Sequence, residues 1–327
     1  MSRPLQVGEK VVLVDAKKRR YLITLKPEAE FHSHSGFFAH DVLIGNEEGI
    51  TVRSSGGARY TAIRPTLAEF ILKMPRGAQV IYPKDLGAIL MLADIFPGAR
   101  VLESGVGSGA LSMTMLRAGA HITGYEIRAD FAAKAQENVH SFVGAELEAH
   151  YDVQIRDCYE GIDETGLDRI VLDLPEPWNV VPHAAGALRT GGIILSYLPT
   201  IIQTAQLRQI LPRYGFGMAE TLEVLHRGWH IEGQSVRPDH RMVAHTGFLT
   251  YARLLTADAP AVDPAIPSSE ASRQASAGLL DESRPAGIET MGIETAAGDG
   301  AEPGSDGDHL DHLDHLDHLD HLDHLDH

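Results

Sequence analysis

The sequence predicts an α/β protein: a Rossmann-like, doubly wound, mainly parallel sheet of seven strands behind a small N-terminal β domain. Three observations carry that reading. From Ile81 onward, short apolar runs alternate with stretches of helical period. The end of this region is strand-rich, which adds an antiparallel edge to a parallel sheet. The residues before Arg64-Pro65 instead hold short Val-, Ile-, Leu- and Tyr-rich runs separated by glycines.

In the first segment strands are expected at Lys10–Val14, Arg19–Thr24 and Gly49–Arg53, punctuated by Gly36, Gly45, Gly56 and Gly57. A helix over Asp85–Ile95 stops before Pro97-Gly98. Strands then follow at Arg100–Glu103, His121–Glu126, Val153–Arg156, Arg169–Asp173, Gly192–Tyr197, Glu220–Leu225 and Gly247–Leu254. Helices fall between them at Ala110–Ala118, Ala129–His140, Val181–Arg189 and Thr200–Leu211. The expected domains are 1–75, the β domain; 76–255, the α/β domain; and 256–327, a tail.

Composition narrows the class. The chain has 327 residues, enough for about two domains, and a single cysteine, Cys158. One cysteine excludes a disulfide framework and a Cys-cluster zinc site. Apolar runs such as Gly191–Leu198 are too short to cross a bilayer, and Met1–Lys10 lacks the apolar stretch of a signal peptide. A cytoplasmic protein is expected. The net charge of −17 is unevenly spread. Residues 1–76 carry 12 Lys/Arg against 8 Asp/Glu, residues 77–255 carry 14 against 20, and residues 256–327 carry 2 against 17. A polyanion would therefore meet a mildly basic front and a nearly balanced body.

The tail is rich in Ala, Pro, Gly, Ser, Asp and Glu and ends in a strict triplet from Asp308-His309-Leu310 to Asp326-His327. Its apolar content cannot offset an ordering entropy of about 1–2 kcal/mol per residue. A period of three also drifts around a 3.6-residue helix, so its leucines form no stripe. A solvated, disordered tract is expected, with a metal-scavenging or interaction tail as the alternative.

The chemistry concentrates in Val101-Leu102-Glu103-Ser104-Gly105-Val106-Gly107-Ser108-Gly109-Ala110, which begins on a strand and opens a helix. The spacing is Gly-x-Gly-x-Gly behind an acid, not the dinucleotide Gly-x-Gly-x-x-Gly. Glu103 would repel a pyrophosphate and suits a cation, which points to the amino end of S-adenosyl-L-methionine. The bland alternative is a structural tight turn. Glu126 ends the next strand, 17 residues after Gly109, where an acid can accept from both ribose hydroxyls. Phe131 could flank the ribose or adenine, or belong to the core. Asp157, after the third strand, is placed to accept from the adenine amine or to cap a solvated turn; Cys158 beside it reads as packing.

The fourth strand ends in Leu172-Asp173-Leu174-Pro175-Glu176-Pro177-Trp178. A carboxylate there overlies the crevice where ligands bind doubly wound sheets, and the two prolines stiffen the loop after it. An aromatic amine acceptor needs an acceptor for its N–H and a flat wall; Asp173 and Trp178 offer both. Tyr82, before the first helix of the α/β region, and Tyr197, at the end of the fifth strand, would rise to the same face. Stacking a base on an aromatic ring is worth about 1–3 kcal/mol, enough to hold a flipped nucleobase. Taken alone, either tyrosine reads equally as a core or rim residue.

In this order, Gln79–Gly87, Glu103–Ala110, Tyr125-Glu126, Asp157, Asp173–Trp178 and Ser196–Pro199 resemble the bacterial and archaeal tRNA (adenine-N1)-methyltransferases that modify the T-loop adenosine at tRNA position 58. Glu223–Trp229 and Arg237–His245 resemble that family's C-terminal hairpin region. The resemblance spans residues 5–255 and is nearest to the actinobacterial members. It implies a homotetramer, a tRNA substrate and S-adenosyl-L-methionine as donor. It carries the cofactor loop over to Ser104, Gly105, Gly107, Ser108, Gly109 and Ala110, the ribose acid to Glu126, the adenine-side acid to Asp157, and the catalytic acid, which also borders the cofactor, to Asp173. It carries the substrate-pocket aromatics over to Tyr82 and Tyr197, and an active-site entrance to His34–Phe37 and His40-Asp41. Lys17-Lys18-Arg19-Arg20, with Arg227, Arg237 and Arg241, are candidate phosphate contacts or solvated surface charges. The rival readings are a methyltransferase acting on another RNA, a small molecule or a protein; a non-enzymatic subunit; and a metal binder acting through the histidine tail. An intact Glu103, Glu126 and Asp173 in one chain speaks against the second.

Overall fold

In the computed structural model, which describes residues 3–77 and 79–256, the N-terminal segment builds six strands. They are β1 (Lys10–Asp15), β2 (Arg20–Thr24), β3 (Glu30–Ser33), β4 (Gly36–Ala39), β5 (Thr51–Arg53) and β6 (Arg59–Ile63). Four form an antiparallel sheet in the order β2-β1-β6-β5, while β3 and β4 pair as a separate hairpin. The central strand β1 sends Val11 and Leu13 into a core with Leu25, Phe31, Phe38 and Tyr60, the two-residue alternation of a half-buried strand. Sequence reading anticipated three of the six. The others are short and mix polar with apolar residues, so they carry little period of their own.

Next comes α1 (Leu67–Lys73), held at its start by a reciprocal capping box between Thr66 and Glu69. Helix α2 (Pro83–Leu92) starts two residues earlier than expected, because Tyr82 is extended (φ −69°, ψ 149°) and Pro83 takes the first helical position.

The α/β part follows as β7 (Arg100–Ser104), α3 (Ala110–Arg117), β8 (His121–Glu126), α4 (Ala129–Val143), α5 (Ala145–Glu148), β9 (Tyr151–Ile155), β10 (Leu167–Leu172), α6 (Val181–Ala187), β11 (Leu188–Leu198), α7 (Ile201–Ile210), β12 (Phe216–Glu223), β13 (Trp229–Glu232), β14 (Ser235–Pro238) and β15 (Phe248–Leu254). Seven of these strands form one sheet, in the order β12-β15-β11-β10-β7-β8-β9. Strands β7 to β11 run parallel, and β15 inserts antiparallel to both its neighbours. The doubly wound fold expected from the alternation is the fold observed. Strands β13 and β14 stand apart as a hairpin.

Two strands begin four residues before the expected position. Strand β11 begins at Leu188, not Gly192, because the buried Leu188 pairs with Leu167 and ends α6 early. Strand β12 begins at Phe216 because Gly215 turns the chain at φ +81° and the Phe216 ring is buried.

The sheet faces are sorted by parity. Val101, Val171, Leu195 and Leu249 meet Ile89, Met113 and Leu116 on one side; Leu102, Ile170, Ile194 and Leu198 meet Val181, Ala184 and Leu207 on the other. Helix α3 is buried from Ala110 to Leu116, as befits a helix enclosed on all sides. Leu22 of β2 and Phe70 of α1 join the first cluster and fasten the N-terminal sheet to it. Among the described residues no helix is long and apolar enough to cross a membrane. The tail from residue 257, including the Asp-His-Leu repeat, lies outside the described residues.

Candidate active site

Strand register builds the site. Ser104 pairs with Tyr125 on one side and Leu172 on the other, and Leu172 pairs with Ser196. The next residue on each strand is therefore Gly105, Glu126, Asp173 or Tyr197, four neighbours along the carboxyl edge. The chain winds outward from β7 in both directions, toward β8 and toward β10. The crevice between those two directions is where ligands of doubly wound sheets sit.

The glycine loop is stitched to both flanks. Gly105 N–H donates to the Tyr125 carbonyl (3.1 Å) and Asp173 N–H to the Ser104 carbonyl (2.9 Å). Gly107 N–H donates to Glu126 Oε2 (3.0 Å), and Arg128 N–H to Glu126 Oε1 (3.0 Å). Gly105, at φ +85°, leaves no room for a side chain, because a Cβ there would overlap the Asp173 carbonyl oxygen. Gly109, at φ +82°, caps α3 against Ala135 of α4. Ser108 and Ala110 are buried beside it. A loop in which every other residue, Gly105, Gly107 and Gly109, lacks a Cβ, and which ends on the first turn of α3, leaves open backbone for a ligand.

Three carboxyls border this loop. Glu103 is fully buried on β7; its Oε2 accepts from Ser112 Oγ (2.7 Å), and its Oε1 has no hydrogen-bond partner. Burial first, then the nearby Asp173 and Glu126, push it up to about 8 despite the Ser112 bond. Burial and the charge of Glu126 push Asp173 up to about 7. Glu126 is buried, and each of its oxygens accepts from one backbone amide, which leaves acceptor capacity on both. Among the described residues none of the three forms an ion pair. Buried carboxylates without a counter-charge are costly unless something cationic joins them. The donor set therefore fits a sulfonium with an ammonium arm and opposes a phosphate.

The remaining predicted residues divide. Tyr197 reaches the crevice: burial, more than any other cause, pushes its hydroxyl up to about 12, and Asp85, Asp173 and Tyr82 are near enough to contribute. That hydroxyl donates to the Thr246 carbonyl (2.6 Å). Tyr82 is half-buried at the start of α2. Phe131 carries Arg128 over its ring (3.7 Å to the centroid) and lies against Gly77. Asp157 Oδ1 accepts from Tyr159 N–H (2.8 Å), closing a turn. Cys158 is buried, which pushes its thiol up to about 11. Trp178 lies against the core cluster of Val180 and Val181 and anchors the proline loop; in that loop Glu176 N–H donates to Tyr159 Oη (3.1 Å).

His34, His40 and Asp41 are not brought to the crevice within this chain. Their hydrogen bonds run to Arg19, Lys26 and Glu28 of the N-terminal module. In the basic run Arg19 pairs with Asp15 (2.6 Å) and Arg20 with Glu69 (3.3 Å), which leaves Lys17 and Lys18 exposed on the β1–β2 turn. Arg227, Arg237 and Arg241 are exposed on and around the β13–β14 hairpin.

Two sets of residues escaped the sequence reading. Asn138, buried on α4, donates from Nδ2 to the Ser108 carbonyl and the Pro75 carbonyl (3.0 Å each), tying the loop to the α1–α2 link. Lys84 and Asp85 form an ion pair (2.9 Å) whose members also bond Thr246. A Lys-Asp pair directly after Tyr82-Pro83 was the only signal for the second; nothing local announced the first.

Comparison with known proteins agrees with this geometry. The family described as "tRNA methyltransferase complex GCD14 subunit" matches residues 60–237, and "TrmI-like N-terminal" matches residues 4–52. The chain is 35% identical over 246 residues to the tRNA (adenine(58)-N(1))-methyltransferase TrmI of Thermus thermophilus, covering 74% of this chain and 96% of that one. It is 35% identical over 270 residues to the tRNA (adenine(57)-N(1)/adenine(58)-N(1))-methyltransferase TrmI of Methanocaldococcus jannaschii, covering 74% and 94%. Among solved structures it resembles a SAM-dependent O-methyltransferase of Thermotoga maritima (TM-score 0.73, 31% identity, 77% and 95% covered). It also resembles the tRNA (m1A58) methyltransferase TrmI of Aquifex aeolicus (TM-score 0.69, 28% identity, 78% and 100% covered). A glycine loop ringed by uncompensated carboxyls, on this sheet and with these relatives, places the chain in the GCD14/TrmI family of S-adenosyl-L-methionine-dependent methyltransferases.

Proposed function

We propose that this protein transfers the methyl group of S-adenosyl-L-methionine to N1 of adenosine 58 in the tRNA T-loop. The observation that supports it most directly is the trio Glu103, Glu126 and Asp173, which lacks a cation and borders the glycine loop. The names of the relatives supply the acceptor. The Thermotoga enzyme is named an O-methyltransferase, but the T. thermophilus and M. jannaschii relatives, at higher identity, are named for adenine N1.

Glu103, Ser104, Gly105, Gly107, Ser108, Gly109 and Ala110 would hold the donor's methionine part, Glu126 its ribose, and Phe131 and Asp157 its adenine side. Bound there, the donor supplies an electrophilic methyl group. Asp173 would accept a hydrogen bond from the exocyclic amine of the target adenine. Adenine N1 is itself nucleophilic, so no strong base is required; as it is alkylated, positive charge spreads to that amine. The attraction of Asp173 grows with that charge, so it stabilises the transition state more than the ground state. Tyr82 and Tyr197 would fix the ring between them, which supplies proximity.

The residue division 1–75, 76–255 and 256–327 assigns RNA contact to the first part and chemistry to the second. Lys17 and Lys18 would meet phosphate. Self-association as a homotetramer has a physical candidate in the β13–β14 hairpin, one face of which presents Trp229, Ile231 and Val236, exposed at 59%, 73% and 60%. Action on tRNA accords with a cytoplasmic location. Incubation of unmodified tRNA with the protein and labelled donor, followed by nucleoside mass analysis, is expected to give 1-methyladenosine at position 58. Methylation of another base, or of none, overturns the reading.

A further inference from the structure

We propose that three consecutive residues, His245, Thr246 and Gly247, form a positioning clasp that sets the gap between the Tyr82 and Tyr197 walls of the acceptor pocket. The inference rests on the pocket reading above and names residues that the reading itself does not use.

Each residue grips a different part of the crevice. His245 Nε2 lies 2.8 Å from the Pro199 carbonyl, just beyond the end of β11, and its Nδ1 lies 2.6 Å from Glu223 Oε1 at the end of β12. The Thr246 carbonyl accepts from the Tyr197 hydroxyl (2.6 Å). Thr246 Oγ1 donates to Asp85 Oδ2 (2.7 Å) and accepts from Lys84 Nζ (2.6 Å). Gly247 carries no Cβ because one would lie 2.5 Å from the Tyr197 ring. Thr246 therefore holds Tyr197 through its carbonyl and the residues next to Tyr82 through its hydroxyl. Asp85 is fully buried, and Lys84 spends its remaining donor capacity on the Val224 carbonyl (2.6 Å). At its inner end, where Lys84 and Asp85 are buried, the clasp is a hydrogen-bonded network of the kind that gives buried polar groups their rigidity.

Its outer end responds to pH. A carbonyl and a carboxylate oxygen are both acceptors, so His245 satisfies both only when each ring nitrogen carries a proton. The groups facing it are the Pro199 carbonyl beyond β11, Glu223 of β12, the Phe248 ring of β15 (4.9 Å between centroids) and Lys84 of α2. The Pro199 and Glu223 bonds raise its pKa above the ordinary histidine value; burial and Lys84 oppose them. Once pH passes that raised value, one of the two bonds is lost and His245 no longer bridges the β11 and β12 ends.

The test uses the full-length protein and tRNA at saturating donor. Turnover, KM for tRNA, donor affinity and melting temperature are measured from about pH 6 to about pH 9 for Thr246→Val, Thr246→Ser, His245→Gln and Tyr197→Ala. Thr246→Val is expected to lower kcat on the order of tenfold with donor affinity held within about twofold, and Thr246→Ser, which keeps the hydroxyl, to restore it. The wild type should lose kcat on the alkaline side, and His245→Gln, at an exposed position and with a melting temperature near the wild type's, should show a lower kcat without that alkaline fall. Wild-type kcat in Thr246→Val, or an alkaline fall that survives in His245→Gln, overturns the clasp while leaving the pocket intact. Wild-type turnover in Tyr197→Ala overturns the pocket reading itself, and the clasp with it.

Discussion

Gly105 and Asp173 are in backbone contact: the space a Gly105 side chain would occupy is filled by the Asp173 carbonyl oxygen. The loop that opens α3 and the strand end that carries the candidate catalytic acid therefore cannot move independently. Gly105→Ala would both force a side chain into the φ +85° region and displace the Asp173 backbone. Overpacking of this kind costs about 1–3 kcal/mol. The variant is expected to lose that much stability, and to lose donor affinity and turnover together, as read by thermal denaturation and calorimetry.

Asp173→Ala separates chemistry from binding. With the acceptor for the adenine amine gone, kcat should fall by two or more orders of magnitude, on the scale of losing one preorganised transition-state contact. Donor affinity should change comparatively little. Equal loss of both would make Asp173 a cofactor residue only.

The raised carboxyls give a signed pH effect. Asp173 keeps its proton up to about 7 and Glu103 up to about 8 in the folded protein, whereas unfolded carboxyls ionise near about 4. Between those limits the folded state holds the extra protons, so the ligand-free protein should lose stability as pH rises from about 4 to about 8. Melting curves across that range should slope downward, and less so in Asp173→Asn and Glu103→Gln. A cationic donor favours the ionised forms, so its binding at about pH 7 should release protons, seen as a buffer-dependent heat in calorimetry. Uptake of protons, or no buffer dependence, contradicts the assignment.

Asn138→Ala leaves the Ser108 and Pro75 carbonyls without their buried donor. A lost buried hydrogen bond of this type costs about 1–3 kcal/mol. Because one of the two carbonyls belongs to the glycine loop, donor affinity should weaken along with the melting temperature.

Phosphate contact by the β1–β2 turn is tested through salt. If Lys17 and Lys18 touch tRNA, each change to Ala should weaken binding and reduce the slope of log affinity against log salt by about one. The slope of Arg19→Ala should change less, since its guanidinium is already paired with Asp15.

The α/β sheet and its crevice were legible because both are written in local signals: apolar runs of strand length, a Gly-x-Gly-x-Gly turn, and carboxylates at strand ends. What stayed hidden was encoded at a distance. Asn138 meets Pro75 across 63 residues, and Thr246 meets Lys84 across 162. No window along the chain contains both partners. Helix α1 is a different case, since Thr66 and Glu69 stand at capping-box spacing and could have revealed it. Trp178 reads as a flat wall for the acceptor ring; its half-buried place against the cluster that holds Val180 and Val181 depends on side chains brought in from other elements, such as Leu102 and Leu207, which no local window contains.

The buried acids beneath the glycine loop, which ionise when a cation joins them, have a consequence for the whole turnover cycle. A methyl donor arrives bearing a positive sulfur and, once its methyl has gone, is left with a neutral thioether. The same acids that draw the fresh donor inward thus hold its spent form less firmly. Exchange of one for the other is driven by the reaction itself, with no moving part required.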